Sequence, residues 1–64
     1  MIDGKVKVWK PVERWGFIEG NDGDDYFFNI LNVRKGQKIS LNSQVKFDAF
    51  QGQRGPEAKN ITLY

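Results

Sequence analysis

Arg14-Trp15-Gly16-Phe17-Ile18 and Tyr26-Phe27-Phe28-Asn29-Ile30 are two short segments rich in aromatic and β-branched residues, the composition of strands. Asn21-Asp22-Gly23 lies between them, and its Asp-Gly step suits positive φ, so the pair reads as a hairpin. Side chains alternate between the two faces of a strand. Trp15 and Phe17 therefore share one face, with Gly16 and Ile18 on the other. In the second segment Phe27 and Asn29 share a face, and Tyr26, Phe28 and Ile30 take the opposite one. A sheet that buries the Ile18 side presents Trp15, Phe17 and Phe27 to water. Three bare rings are costly unless something stacks on them. An unpaired nucleobase does so, with about 1–3 kcal/mol per base.

The same period of two extends outward. Ile2, Gly4, Val6 and Val8 alternate with Asp3, Lys5, Lys7 and Trp9, which predicts a half-buried first strand stopped at Pro11. The second strand is expected over 14–20 and the third over 25–30. Residues 31–43 lack alternation; Leu31-Asn32-Val33-Arg34 suits a helical or 3-10 turn, Gly36 marks a bend, and Val33, Ile39 and Leu41 are expected to tuck inward. The fourth strand reads Gln44 to Phe50, with Val45, Phe47 and Ala49 inward. A turn over 51–56 precedes a last strand, Glu57 to Leu63, whose core positions Ala58 and Ile61 break alternation and predict a bulge or twist. Five short strands with no helical stripe give an all-β fold class, a small five-stranded antiparallel barrel. Closure also removes the exposed edges of a sheet.

The 64 residues are expected to form one domain, and a chain this short buries only about 60% of its unfolded surface. It contains no cysteine and no histidine, which excludes disulfide staples and argues against structural zinc. The apolar runs are too short to span a bilayer and no signal segment opens the chain, so a cytoplasmic location is expected. A net charge of +2 is a weak pointer to an anionic partner. Its distribution says more: Lys5, Lys7, Lys10 and Arg14 surround the first two strands, while Asp22, Asp24 and Asp25 gather at one turn. That acidic turn is not a calcium loop, because the bidentate glutamate such a loop needs at its twelfth position is here Val33. Without histidine, a nucleophile–base pair or a phosphate-binding glycine loop, no catalytic constellation is present. The chain reads as a non-enzyme with no cofactor, no metal and no small-molecule substrate.

Gly4-Lys5-Val6-Lys7, Trp15-Gly16-Phe17-Ile18-Glu19, Asp24-Asp25-Tyr26-Phe27-Phe28-Asn29-Ile30 and Arg54-Gly55-Pro56 followed by Ala58 and Asn60-Ile61-Thr62 together resemble the bacterial cold-shock domain. The resemblance runs from Gly4 to Thr62, with four motifs in order and nearly the family's spacing. It implies a barrel of the oligonucleotide/oligosaccharide-binding class (the OB-fold) that holds single-stranded RNA or DNA by stacking. It also implies a role in melting RNA structure or in regulating transcription and translation, by a protein expected to act as a monomer. Several family positions are changed. The Trp-Phe pair after Gly-Lys-Val-Lys is Val8-Trp9, the Lys-Gly before the first stacking ring is Glu13-Arg14, and the histidine and phenylalanine of the second motif are Asn29 and Ile30. The aromatic of the long loop is Lys38. With Val8, Asn29, Ile30 and Lys38 lacking rings, binding is expected to be weaker or shorter than in a full-platform relative.

The resulting candidate site comprises Trp15, Phe17 and Phe27 as stacking rings, with Trp9 on the face of Lys5 and Lys7 or as a lid on the barrel. Lys7, Arg14, Lys38 and Arg54 are candidates for phosphate, with an arginine plane also able to stack on a base. Asp25 and Asn29 are placed to meet base edges, and Ile30 occupies a matched position beside them. The competing reading is a small barrel that docks peptides, or one that has kept the fold and lost the binding.

Overall fold

The computed structural model describes all residues, 1–64. The strands are β1 (Ile2–Lys10), β2 (Trp15–Gly20), β3 (Asp25–Asn29), β4 (Gln44–Gly52) and β5 (Gly55–Leu63), with a 3-10 turn at Ile30–Asn32 between β3 and β4. They close into a barrel in the order β1-β2-β3-β5-β4. Four pairings are antiparallel, but the closing β3/β5 pairing is parallel, so the barrel is not antiparallel throughout. The β2–β3 hairpin turns at Gly23, which has φ +89°. Ile30 lies in the 3-10 turn rather than in β3. Asn29 caps that turn: its Oδ1 accepts from the Leu31 amide at 2.9 Å, while its own amide donates to Asn32 Oδ1 at 3.0 Å.

The core holds Val6, Ile18, Tyr26, Phe28, Ile39, Val45, Phe47, Ala58 and Ile61. Tyr26 crosses Phe47 edge to face at 4.9 Å, and its hydroxyl donates to Asp22 Oδ2 at 2.6 Å. This ties the hairpin turn to the interior. The bond holds the Asp22 carboxyl below the usual carboxylate range, helped by the Asp24 amide. The same bond, with burial, pushes the Tyr26 phenol up to about 12.

Two bulges set the faces. In β1 the register steps from Val6↔Ile18 to Val8↔Phe17, leaving Lys7 unpaired. An inserted residue flips everything after it to the other face. Val8 therefore joins Phe17 outside the barrel instead of the core. Trp9 pairs with Gly16, turns inward, and lies flat on Phe28 at 5.6 Å and 8°. The lid alternative holds, and the shared face with Lys5 and Lys7 does not. In β5 the register steps from Lys46↔Thr62 to Asp48↔Lys59. Asn60 takes φ +53° there, which is the expected bulge and keeps Ala58 and Ile61 both inside.

Two inward assignments fail. Leu41 is 57% exposed. It sits at the tip of a turn pinned by the Asn42 amide on Val6 O and the Ser43 amide on Ser40 O, which leaves its side chain outside. Ala49 is exposed although its partner Ala58 is buried. β1 covers β4 only across Gln44–Phe47, so the β4–β5 hairpin runs past the barrel end at Ala49.

Candidate nucleic-acid interface

Residues opposite one another in a ladder share a face. The outer face can therefore be followed strand by strand. One row runs Val8, Phe17, Phe27, Glu57, Phe50 through β1, β2, β3, β5 and β4. A neighbouring row runs Lys10, Trp15, Asn29. Trp15, Phe17 and Phe27 thus meet outside the barrel, and none belongs to the core cluster. Their centroids lie 5.7–6.1 Å apart, with Phe17 edge-on to both partners and Trp15 tilted 34° to Phe27. Gly16 lies beneath them, on the inner face. A Cβ there would fall 2.2 Å from Val8 O and about 3 Å from the Phe28 ring, so the Phe28 ring under Trp9 keeps its place because position 16 is glycine.

Phe27 is not bare. It is only 8% exposed, because Trp15 and Phe17 pack on two sides and the Arg54 guanidinium lies 4.4 Å above the ring. Such a contact is worth about 0.5–1 kcal/mol at an exposed site. Trp15 and Phe17 are half-buried. Together with Arg54 the three rings line one depression.

The remaining candidates are distributed as follows. Lys7, the bulged residue, puts Nζ 3.0 Å from both carboxylate oxygens of Asp25, so these two are an ion pair rather than a free cation and a free acceptor. Arg14 is exposed in the left-handed region at φ +68°. Its amide donates to Lys10 O at 2.7 Å and its carbonyl accepts from Ile30 at 2.9 Å. Asn29 spends its Oδ1 on the cap. Ile30 is half-buried, and with Leu31 and Val33 it lines a separate groove. Lys38 is exposed in the loop before β4, and no contact ties it to the ring cluster. Phe50, Glu57 and Lys59 also stand on this outer surface, outside the candidates named from the sequence. The signal available was a phenylalanine at an outward phase of β4.

Residues 2–64 match the family described as the 'Cold-shock' DNA-binding domain. The chain belongs to the cold-shock domain family. It is 39% identical over 62 residues to the cold shock-like protein CspC of Bacillus cereus, covering 94% of this chain and 95% of that one. It is 36% identical over 64 residues to the major cold shock protein of Streptococcus pyogenes (serotype M18), at 97% and 96% coverage. It is also 36% identical over 63 residues to the cold shock protein CspD of Bacillus subtilis, at 95% and 96%. Within the cold-shock frame, Arg14 occupies the position where the resemblance places glycine, and its positive φ gives the physical reason for glycine there. No helix is long and apolar enough to cross a membrane.

Proposed function

We propose that this cold-shock protein binds unpaired RNA or DNA by laying bases on Trp15, Phe17 and Phe27, as a nucleic-acid chaperone or a regulator of transcription or translation. One observation carries the reading: three large rings meet outside the core cluster, where a flat base can lie against them. A base has a π-face whatever its identity, so the contact tolerates sequence. Arg54 supplies a second layer, since its guanidinium plane stacks on a base as well as on Phe27. Arg14 and Lys38 supply exposed positive charge for the backbone. Lys7 does so once a phosphate competes with Asp25, which frees that carboxylate for a base edge. Asn29 retains its Nδ2 donor for the same purpose, and Ile30 offers an apolar margin. Trp9 acts from below, through Phe28. The protein works as one domain, as a monomer in the cytoplasm, without enzymatic activity or a small-molecule substrate.

Titration with oligo-dT and oligo-U at two salt concentrations, read by tryptophan emission, tests this. Trp15 emission changes on binding, the change persists in Trp9→Phe and disappears in Trp15→Phe, and affinity falls with salt. Unchanged emission at high oligonucleotide concentration and low salt rejects the function.

A further inference from the structure

The outer row of the barrel does not end at Phe27. It continues through Glu57 on β5 to Phe50 on β4. Phe27 and Phe50 stand two strands apart, about 10 Å between backbones, and face the same side. Each carries a cation: Arg54 at 4.4 Å from Phe27 and Lys59 at 5.5 Å from Phe50. A groove lies between the two rings, with Gly52, Gln53 and Glu57 completing its lining. A Cβ at Gly52 would land 2.0 Å from Glu57 Oε2, so the glycine leaves room for this carboxylate in the groove. Glu57 uses that same oxygen to accept the Arg54 amide at 3.3 Å, and Oε1 has no partner. At the opposite end of the row, β1 contributes only Val8.

We propose that the groove between Phe27 and Phe50 is an additional base subsite that extends the stacking surface onto β4, and that Glu57 makes it prefer bases bearing an exocyclic amine. The proposal rests on the nucleic-acid reading above. Continuity supports it: the groove shares Phe27 and Arg54 with the three-ring depression, so a strand leaving one enters the other. The Phe50 ring on one side and the Arg54 guanidinium plane over Phe27 on the other suit a flat base, and Arg54 and Lys59 flank it with charge for the adjoining phosphates. The carboxylate sets the discrimination. It accepts only, so it pairs with the amino group of cytosine or adenine and meets the keto edge of thymine or uracil with lone pairs. The row thus carries a valine at its β1 end and a ring at its β4 end.

The test is a fluorescence-anisotropy titration of end-labelled trimers and hexamers of dC and dT at fixed low salt, using wild type, Phe50→Leu, Glu57→Gln and Trp15→Ala. Phe50→Leu keeps the apolar volume and removes the π-face. It is expected to weaken hexamers about 5- to 100-fold and to leave trimers within twofold, a length dependence that misfolding does not produce. Glu57→Gln is expected to lower the dC-to-dT affinity ratio for hexamers at least threefold, because the amide also donates to a keto oxygen. An unchanged ratio overturns the preference. Equal effects of Phe50→Leu on both lengths, or none on either, overturn the subsite. If Trp15→Ala still weakens both lengths about 5- to 100-fold in either case, the proposed function stands while this inference falls. If wild type binds neither oligomer, both fall.

Discussion

Replacing Arg14 by glycine is expected to stabilise the fold while weakening its hold on nucleic acid. Arg14 sits at φ +68°, and a left-handed backbone costs an L-residue about 1–2 kcal/mol. Glycine escapes that cost but loses about 0.5–1 kcal/mol to its greater freedom in the unfolded chain. The midpoints of the two ranges leave a net gain of about 0.75 kcal/mol. The hydrogen bonds at this position are made by the backbone, to Lys10 and from Ile30, so they survive the change. In a domain of this size 1 kcal/mol moves Tm by about 4–8 °C, and the expected rise is roughly 3–6 °C. Removal of one phosphate-facing cation reduces the slope of log affinity against log salt by about 0.7 for a single strand. Thermal melting by circular dichroism reads the first effect and oligonucleotide titration across a salt series reads the second. A melting point that is unchanged or lower refutes the strain argument. An unchanged slope with a raised Tm leaves the strain argument intact and removes Arg14 from the interface.

Trp15→Ala and Phe27→Ala are each expected to weaken oligonucleotide binding by about 1–3 kcal/mol, but Phe27→Ala lowers stability more, by about 1.5–3 kcal/mol, because Phe27 is buried beneath its neighbours and Trp15 only half-buried; equal melting points for the two variants contradict the packing described. Asp25→Asn releases Lys7 from its ion pair and is expected to steepen the salt dependence of binding by about 0.7, measured over the same salt series. Stability is expected to fall at both pH extremes through the Tyr26–Asp22 bond. Asp22 titrates below its ordinary value of 3.8, so its contribution is complete above 3.8 and is lost as pH drops through the lowered value. Tyr26 titrates at about 12 rather than 10.0, so its contribution is complete below 10.0 and is lost as pH rises toward 12. Urea unfolding across pH shows a smaller acid loss in Tyr26→Phe and no alkaline loss from this site; identical profiles in both proteins dismiss the bond as a pH-linked contact.

Fold and site were legible in the sequence wherever the period of two ran unbroken. The β2–β3 hairpin is the clearest case: Gly16 and Ile18 inside, Trp15 and Phe17 outside, Asp22-Gly23 at the turn. Phe27 shows where that reading stops. Alternation puts the ring on the outer face correctly, but it carries no information about Arg54, which arrives from the β4–β5 turn, far along the chain, and covers it. Lys7 and Asp25 are separated by β2 in the same way, and their pairing depends on which strands neighbour each other. Ala49 failed for a third reason. Its phase is inward, yet burial also needs a strand on the far side, and β1 stops short of it.

Bulges account for the rest, and they couple the hidden layer of this protein to the exposed one. A single inserted residue at Lys7 decides two outcomes at once: Val8 goes outside, to the row of Phe17 and Phe27, and Trp9 goes inside, onto Phe28. Shifting the register back by one would exchange them, putting an indole on the outer face and a valine against Phe28. The inner position cannot accept less volume without a cavity, and Gly16 has no Cβ with which to fill it. The large ring at position 9 therefore stabilises the barrel at the point where the outer surface gives up a stacking partner. Phe50 sits beyond the reach of this constraint, on a strand whose register is set by the separate bulge at Asn60. A ring can be added there without disturbing the Gly16–Phe28–Trp9 stack, so the β4 edge is where the aromatic surface of this barrel is free to grow.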